Sequence, residues 1–557
     1  MNVNRRTVLG GAAVVAGLAA SARASTRKEG GERAHAKALD ALEPYVEQHR
    51  ADWGLPGMTL CMVTRTGFAG YVMSGRADVD RRISVEPDHL FQIGSISKMM
   101  AALAIWSLID DGKLSPDARI KDLLPTVPIR GGDEITLQHL LNHTSGLPGD
   151  PPLIVDGGLW TGFAPGSRWL YSNTAYQMIG LIAAQADGRS YPDCVEARVL
   201  KPLGMTQSVG SLRVADRERY ARGYEPAYSD RPHMRPGLMT PAPWVDSDNA
   251  AGCIAATARD MSLFLGFLLA LAEGKGAPVI SDAAAVKFLA DPADAPGWSA
   301  GARYGNGVAR LAIDGRNYLH HTGGMVSFSS SLHVDPEAGV AAFASSNVHY
   351  GLAYRPRDVT IYACKLLHAA ESGGVAPSPA PTRPIVDKPQ AFAGIFAAAS
   401  GDKFEIVAEA DRLVLRRDGR DTEMQARGDG FFACREPAFE VTGLKVDMEA
   451  EKAVRAWAGD IEYAANPSAG YRPLPSPELQ ALAGRYDSDD RWAGPAYVFA
   501  RDGKLWLGTD ALTPLKNGEW RAGAEEWSPE RVRFDGVVAG RPHRMLYSGF
   551  PFYRRFG

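Results

Sequence analysis

The sequence predicts an α+β domain followed by two small all-β domains, and three observations carry that reading. The chain opens with a helical pattern, two or three strand-like runs and a second, almost entirely apolar helix. A stretch rich in Pro and Gly at 371–389 then changes the composition. Beyond it, two weakly similar segments are filled with short alternating runs and Asp-Gly turns. At 557 residues the chain is long enough for more than one domain.

Residues 1–24 read as an export signal. Arg5-Arg6 precedes an apolar run from Val8 to Ala20, and Ala22-Arg23-Ala24 offers small residues for cleavage before Ser25. The run is too short to span a bilayer, which needs ~20 residues. Its Asn4-Arg5-Arg6-Thr7-Val8-Leu9 setting resembles a twin-arginine signal. The mature protein is therefore expected in the periplasm or secreted, with no membrane span. Residues 31–50 then carry apolar side chains at helical spacing: Ala38, Leu39, Leu42, Tyr45 and Val46. Residues 56–75 read as strands around a turn near Thr66-Gly67, and Cys61 falls in their alternating pattern as a core residue.

The next stretch, Phe91 to Met100, holds a Ser-x-x-Lys in Ser95 and Lys98. On a helix these share one face. Gly94 allows a tight entry, Ser95 sits at the positive end of the helix dipole, and Met99 to Ile109 is almost entirely apolar. Burial should push the Lys98 pKa toward neutrality, so that its amine can take the serine proton. A short helix, Ile135 to Leu141, ends in a turn whose His143 reads as structural. Tyr171 and Asn173 follow, two apart in a loop. A Tyr hydroxyl whose pKa is lowered by a nearby ammonium can relay a proton. An Asn amide can hold a substrate carbonyl or the lysine. The third stretch runs Tyr318-Leu319-His320-His321-Thr322-Gly323-Gly324 into an alternating strand. Paired glycines in a strand indicate close approach of a ligand or another backbone. The N–H groups of Ser95 and Gly324 could then form an oxyanion hole.

Ser-x-x-Lys, Tyr-x-Asn and His-Thr-Gly, in that order, resemble the signature of the serine β-lactamase and penicillin-recognising family. Leu140 to Pro148, Pro165-Gly166 and Ala251-Gly252 are further landmarks, so the likeness spans roughly residues 35–370. The branch holds class C β-lactamases, D-alanyl-D-alanine carboxypeptidases, D-aminopeptidases and esterases. The resemblance implies a helical subdomain beside an antiparallel sheet flanked by helices, with the site between them, in residues 25–370. It implies Ser95 as nucleophile, Lys98 and Tyr171 as the proton-transfer pair, and Asn173 and Thr322 as substrate contacts beside His321 and Gly323. One departure matters. The β-lactamases of the branch carry Lys where this chain has His321. An imidazole, with ordinary pKa about 6.5, is mostly neutral at pH 7 and should hold a substrate carboxylate weakly. The His-Thr-Gly form resembles the D-amino-acid peptidases and esterases.

Past the linker, Phe392-Ala393-Gly394-Ile395-Phe396 recurs as Leu482-Ala483-Gly484-Arg485-Tyr486, and Arg412 to Leu415 as Lys504 to Leu507. Tyr471-Arg472 and Tyr553-Arg554 close the two copies, which suits small β-barrels at 390–472 and 478–557. A hydrolase followed by two barrels resembles bacterial D-aminopeptidases, whose last barrel sends a loop to the active site. Ser488 to Pro495, with Trp492, is the candidate loop.

The expected function is an exported serine hydrolase that cleaves amide or ester bonds through an acyl-enzyme, most simply in short peptides containing D-amino acids. A small-ester hydrolase, a weak β-lactamase and a non-catalytic binder of cell-wall peptide are the alternatives. No cofactor or metal is called for: the five cysteines show no ligand spacing and no required pairing. A net charge of −3 gives no basic footprint for nucleic acid.

Overall fold

A computed structural model describes residues 21–349, 351, 354–465 and 475–555. The expected export signal falls mostly on residues 1–20, outside the described residues. No helix among the described residues is long and apolar enough to cross a membrane.

The first domain is built on a nine-stranded antiparallel sheet. Strands β1 (Gly57–Thr64) and β2 (Ala69–Asp78) sit near one edge. Ile83–Ser84 pairs with β2 at that edge, and the other six strands come from far along the chain: β1 pairs on its other side with Val340–Ser346, which leads on to Ser329–Asp335 and Arg316–Gly324. Every residue of β1 is buried, so both faces of the sheet are covered. Met58, Leu60 and Met62 point to a core shared with helix α1 (Ser21–Trp53) and the helix Arg357–Ser372. Cys61 and Val63 point the other way, into the larger core that holds the helical subdomain. The period-two alternation of a strand divides these side chains between two cores.

Helix α2 (Ser97–Asp110) runs through the middle of that larger core. Its residues Ser97 to Leu108 are all buried, as an all-apolar helix requires. The helix Asn173–Asp187 packs beside it and ends at Gly188, whose φ of +74° is the left-handed stop that glycine takes most readily.

After the helix Arg357–Ser372, residues 373–388 hold no helix or strand. Two closed eight-stranded antiparallel barrels follow, from Gly394–Ala397 to Ile461–Ala464 and from Gly484–Asp487 to Phe550–Arg554. The sequence repeat falls where the folds correspond. Phe396 and Tyr486 occupy the first strand of each barrel and both are wholly buried. Arg412–Arg417 and Lys504–Leu507 are the third strands. Tyr471-Arg472, expected to close the first copy, lies outside the described residues.

Candidate active site

The strand Phe91–Gln92 enters a tight 3-10 turn at Gly94–Ile96, and α2 begins at Ser97. Ser95 therefore stands in the turn two residues ahead of the helix, where the sequence reading put it at the helix N-terminus. From Phe91 to Met100 every residue is buried except Ser95, which is half-buried. The turn is pressed against the strand Arg316–Gly324. A Cβ at Gly323 would lie 1.8 Å from the Ile93 carbonyl oxygen, and one at Gly94 would lie 2.6 Å from the Gly324 nitrogen. Only glycine fits at either point. The close approach expected at the paired glycines is thus to another backbone, and it brings Gly324 beside the turn that holds Ser95.

Lys98 is wholly buried and its amine makes three contacts. Nζ lies 2.7 Å from Asn173 Oδ1, 2.6 Å from the Ala251 carbonyl and 3.1 Å from Ser95 Oγ. Burial lowers its pKa to about 7, against a smaller opposing pull from Asp150. A neutral amine has two N–H bonds and one lone pair. Both carbonyl oxygens can only accept, so they take the two N–H bonds. The lone pair is left for the Ser95 hydroxyl.

Each partner is fixed from behind. Asn173 donates through Nδ2 to Asp150 Oδ1 at 2.7 Å. A carboxylate only accepts, so the amide must turn its oxygen toward Lys98. The Asn173 N–H donates to Gly149 O at 2.7 Å, and the Ser172 hydroxyl donates to Pro148 O at 2.6 Å. His143 supports the same loop: its Nδ1 accepts the Ser172 N–H at 3.1 Å, while its φ of +59° turns the chain under the Tyr171 ring. The Ala251 carbonyl belongs to a segment pinned along the turn that holds Ser95, with Ile93 N–H donating to Ile254 O at 3.0 Å and Ile254 N–H to Ser97 Oγ at 3.1 Å.

The Tyr171 ring lies 4.9 Å from Lys98 Nζ. Burial raises its phenol pKa well above the ordinary value, while a hydrogen bond with Ser95 pulls the other way. The sequence reading allowed for a lowered pKa. The structure reverses the direction, because the cost of desolvating the phenolate outweighs the hydrogen bond with Ser95 and the more distant pull of Arg355. Tyr171 is thus a neutral hydroxyl, able to pass a proton on rather than to hold a negative charge.

His321 differs in the same way. Its Nδ1–H donates to the Thr322 carbonyl at 2.6 Å and its Nε2 accepts from the Tyr304 hydroxyl at 2.9 Å. The ring is wholly buried and its pKa is pushed well below the ordinary histidine value, first by burial and then by Lys98. The expected titration near pH 6.5 is therefore corrected: no charge develops on this ring in the neutral range. Thr322 and Gly324 are partly open beside it, while Gly323 is buried.

Several residues of the cleft were not read from the sequence. Trp298 stands 4.9 Å from the His321 ring and 6.0 Å from the Tyr171 ring. Tyr304, Asp150 and the Ala251 carbonyl join it. Ala251 was read only as a landmark, without a role for its carbonyl; the other three belong to no spaced motif, and only the fold brings them in. The second barrel also reaches this region. Its Glu530 accepts the Gly149 N–H at 2.8 Å, its Pro529 carbonyl accepts the Trp160 indole N–H at 2.7 Å, and its Trp527 packs edge-on to Phe163. Trp492, from the loop expected to approach the cleft, packs against a cluster that holds Met325, Phe328 and Tyr220. Met325 is one residue past Gly324.

Fold and cleft together define a serine hydrolase acting on amide or ester bonds. The chain belongs to the Beta-lactamase family, whose model matches residues 42–366. It is 29% identical to penicillin-binding protein 4 of Amycolatopsis lactamdurans over 320 residues, 54% of this chain and 82% of the relative. It is 31% identical to penicillin-binding protein 4* of Bacillus subtilis over 27% of this chain and 38% of the relative. It is also 31% identical to esterase EstB of Burkholderia gladioli over 30% of this chain and 50% of the relative. Against two of these three, then, the chain matches half of the relative's length or less. The octameric penicillin-binding protein homologue from Pyrococcus abyssi shares the fold over 76% of this chain and 99% of that one, with a TM-score of 0.53 at 20% identity.

Proposed function

We propose that this chain is an exported hydrolase that forms an acyl-enzyme on Ser95 and acts on short peptides containing D-amino acids. The observation that carries the reading is the buried Lys98 amine, held by two carbonyl oxygens and 3.1 Å from Ser95 Oγ, an arrangement in which the deprotonated amine turns its lone pair to the serine. Lys98 accepts the Ser95 proton as Oγ bonds to the substrate carbonyl carbon. The N–H groups of Ser95 and Gly324 receive the negative charge on the carbonyl oxygen. The proton then passes through Lys98 and the neutral Tyr171 hydroxyl to the leaving amine or alkoxide, and the C–N or C–O bond breaks. Water, giving up its proton to the same pair, releases the acyl group. Asn173 holds the lysine and faces the substrate, and His321 and Thr322 shape the floor beneath it.

Three features favour a peptide substrate over a β-lactam. His321 offers no cation for a carboxylate. The second barrel bonds to Gly149 and packs against the cluster that holds Met325. The two-barrel arrangement is the one expected of D-aminopeptidase-like chains. The esterase relative keeps a small-ester hydrolase as the second reading.

The test is a side-by-side assay of D-phenylalanine p-nitroanilide, p-nitrophenyl acetate and a chromogenic cephalosporin, with fluorophosphonate labelling of wild type and Ser95→Ala. The expected result is stereoselective release of p-nitroaniline and complete loss of labelling and turnover in a folded Ser95→Ala protein. Turnover retained by that variant would place the nucleophile elsewhere. Ester hydrolysis alone would promote the esterase reading, and rapid cephalosporin hydrolysis the β-lactamase one.

A further inference from the structure

We propose that the seam between the two barrels is a second binding site, for a small monocarboxylate with an apolar body. A cavity of about 650 Å3 opens there, within the range of small-molecule sites. Phe392, Lys445, Asp447 and Trp457 line it from the first barrel, and Arg501 and Trp506 from the second. None of these residues belongs to the Ser95 cleft.

Arg501 is the reason to expect an anion. Its side chain is only 4% exposed, yet among the described residues its one side-chain hydrogen bond runs from Nη1 to the Gly459 carbonyl at 3.5 Å. No carboxylate among the described residues forms an ion pair with it. The two carboxylates whose charge acts on it, Asp447 and Asp460, are engaged elsewhere. Asp447 receives the Trp457 indole N–H at 2.8 Å and faces Arg455 at 3.7 Å. Asp460 receives the Ala500 N–H at 2.6 Å. Aromatic rings hold the guanidinium instead, with the Trp506 centroid 4.7 Å away and those of Trp457 and Phe499 each at 5.6 Å. Rings stacked on a guanidinium stabilise the charge but leave its in-plane N–H edge unanswered. Leaving that edge empty in a buried site is costly. A carboxylate is its geometric complement, with two oxygens matched to two parallel N–H bonds.

The rest of the cavity narrows the choice. Phe392, Trp506 and Met448 present apolar surface for the body of the ligand. Asp429, Asp447, Glu449 and Asp502 line the same space, so a dianion such as a phosphate monoester meets stronger repulsion than a monocarboxylate does. A neutral ligand leaves the guanidinium unpaired. A free acid and the C-terminus of a peptide share the chemistry that remains.

The experiment is calorimetric titration of the full-length protein with 3-phenylpropanoate, 3-phenylpropan-1-ol, phenyl phosphate and the peptide Gly-Gly-Phe with a free or amidated C-terminus. The expected order is acid well ahead of alcohol and phosphate, with Arg501→Gln weakening the acid at least ~10-fold and Arg501→Lys, which keeps the charge but loses the fork, by less. Hydrolysis of p-nitrophenyl acetate should not change in either variant. Gly-Gly-Phe binding only in its free-acid form extends the site to peptide C-termini, and binding of the simple acid alone restricts it to free acids. Trp506→Ala supplies an independent loss of binding should Arg501→Gln fail to fold. Equal affinity for acid and alcohol, acid binding that survives both Arg501 variants, or no acid binding at all would overturn the proposal.

Discussion

Lys98 has two N–H bonds to give as a neutral amine and two carbonyl oxygens beside it to receive them, so its third neighbour, Ser95, meets the lone pair. This arithmetic makes the pH dependence specific. The rate of fluorophosphonate labelling should rise with pH along one limb centred near 7, where the buried amine loses its proton. Lys98→Arg, which cannot lose one, should label at a negligible rate. Because burial raises the Tyr171 pKa, Tyr171→Phe should lower the plateau on the order of 10²-fold while leaving the limb near 7. A limb that vanished in Tyr171→Phe would make the phenol the base instead. The same burial carries a stability consequence. Lys98 has its pKa lowered in the folded state, so between about 7 and the ordinary lysine value the unfolded chain binds more protons, and stability gained from deprotonation rises with pH. Lys98→Met should therefore melt at a higher temperature than wild type at pH 7, with the gap closing toward pH 10. Calorimetry at several pH values measures it, and an equal or lower melting temperature at pH 7 would refute it.

The strand Arg316–Gly324 and the turn Gly94–Ile96 meet through two glycines, and in the proposed mechanism that contact spaces the Ser95 and Gly324 N–H groups. Gly323→Ala would push a methyl carbon to 1.8 Å from the Ile93 carbonyl oxygen and 2.3 Å from Ser330 Oγ. Strand and turn must then separate. The expected loss is ~1–3 kcal/mol of stability, with a fall in kcat larger than the change in KM, because the oxyanion donors act in the transition state. Urea unfolding and steady-state kinetics would measure both, and wild-type kinetics in the variant would rule out the close contact. How much of this was legible in the sequence follows from what each element needs. Ser95, Lys98, Tyr171, Asn173 and the His-Thr-Gly strand sit in local patterns whose spacing can be read directly. So do the apolar run of α2 and the alternating first and third strands of each barrel. The Ala251 carbonyl cannot be read that way, since a backbone acceptor leaves no mark on residue choice. His321 looked titratable because its partner, Tyr304, lies seventeen positions earlier and belongs to no motif. The raised Tyr171 pKa depends on how completely the fold dries the cleft, which no spacing encodes.

Seen whole, the molecule brings a residue more than four hundred positions downstream of Ser95 to the wall of the cleft. Glu530, from the second barrel, accepts the Gly149 N–H at 2.8 Å and the Ser548 hydroxyl. Gly149 O in turn receives the Asn173 N–H at 2.7 Å, Asp150 receives the Asn173 amide at 2.7 Å, and Asn173 receives the Lys98 N–H at 2.7 Å. The carboxylate thus stands at the end of a continuous chain of hydrogen bonds to the amine that faces Ser95. Loop 488–495 was the expected contact, and its Trp492 does pack near Met325, but the polar connection comes from the segment Trp527–Glu530. Neither segment carries a sequence signal, because each is ordinary for a barrel and acquires its role only from docking. If the chain of bonds positions Lys98, Glu530→Ala should slow fluorophosphonate labelling by roughly 10²-fold, as a small misplacement of a catalytic group does. Glu530→Gln, whose amide oxygen can still accept from Gly149, should stay close to wild type. The two variants share the loss of charge and differ in the hydrogen bond, so their ratio isolates positioning from electrostatics. Labelling of Glu530→Ala at the wild-type rate would mean that the second barrel only covers the cleft, and equal slowing in both variants would assign the effect to the charge.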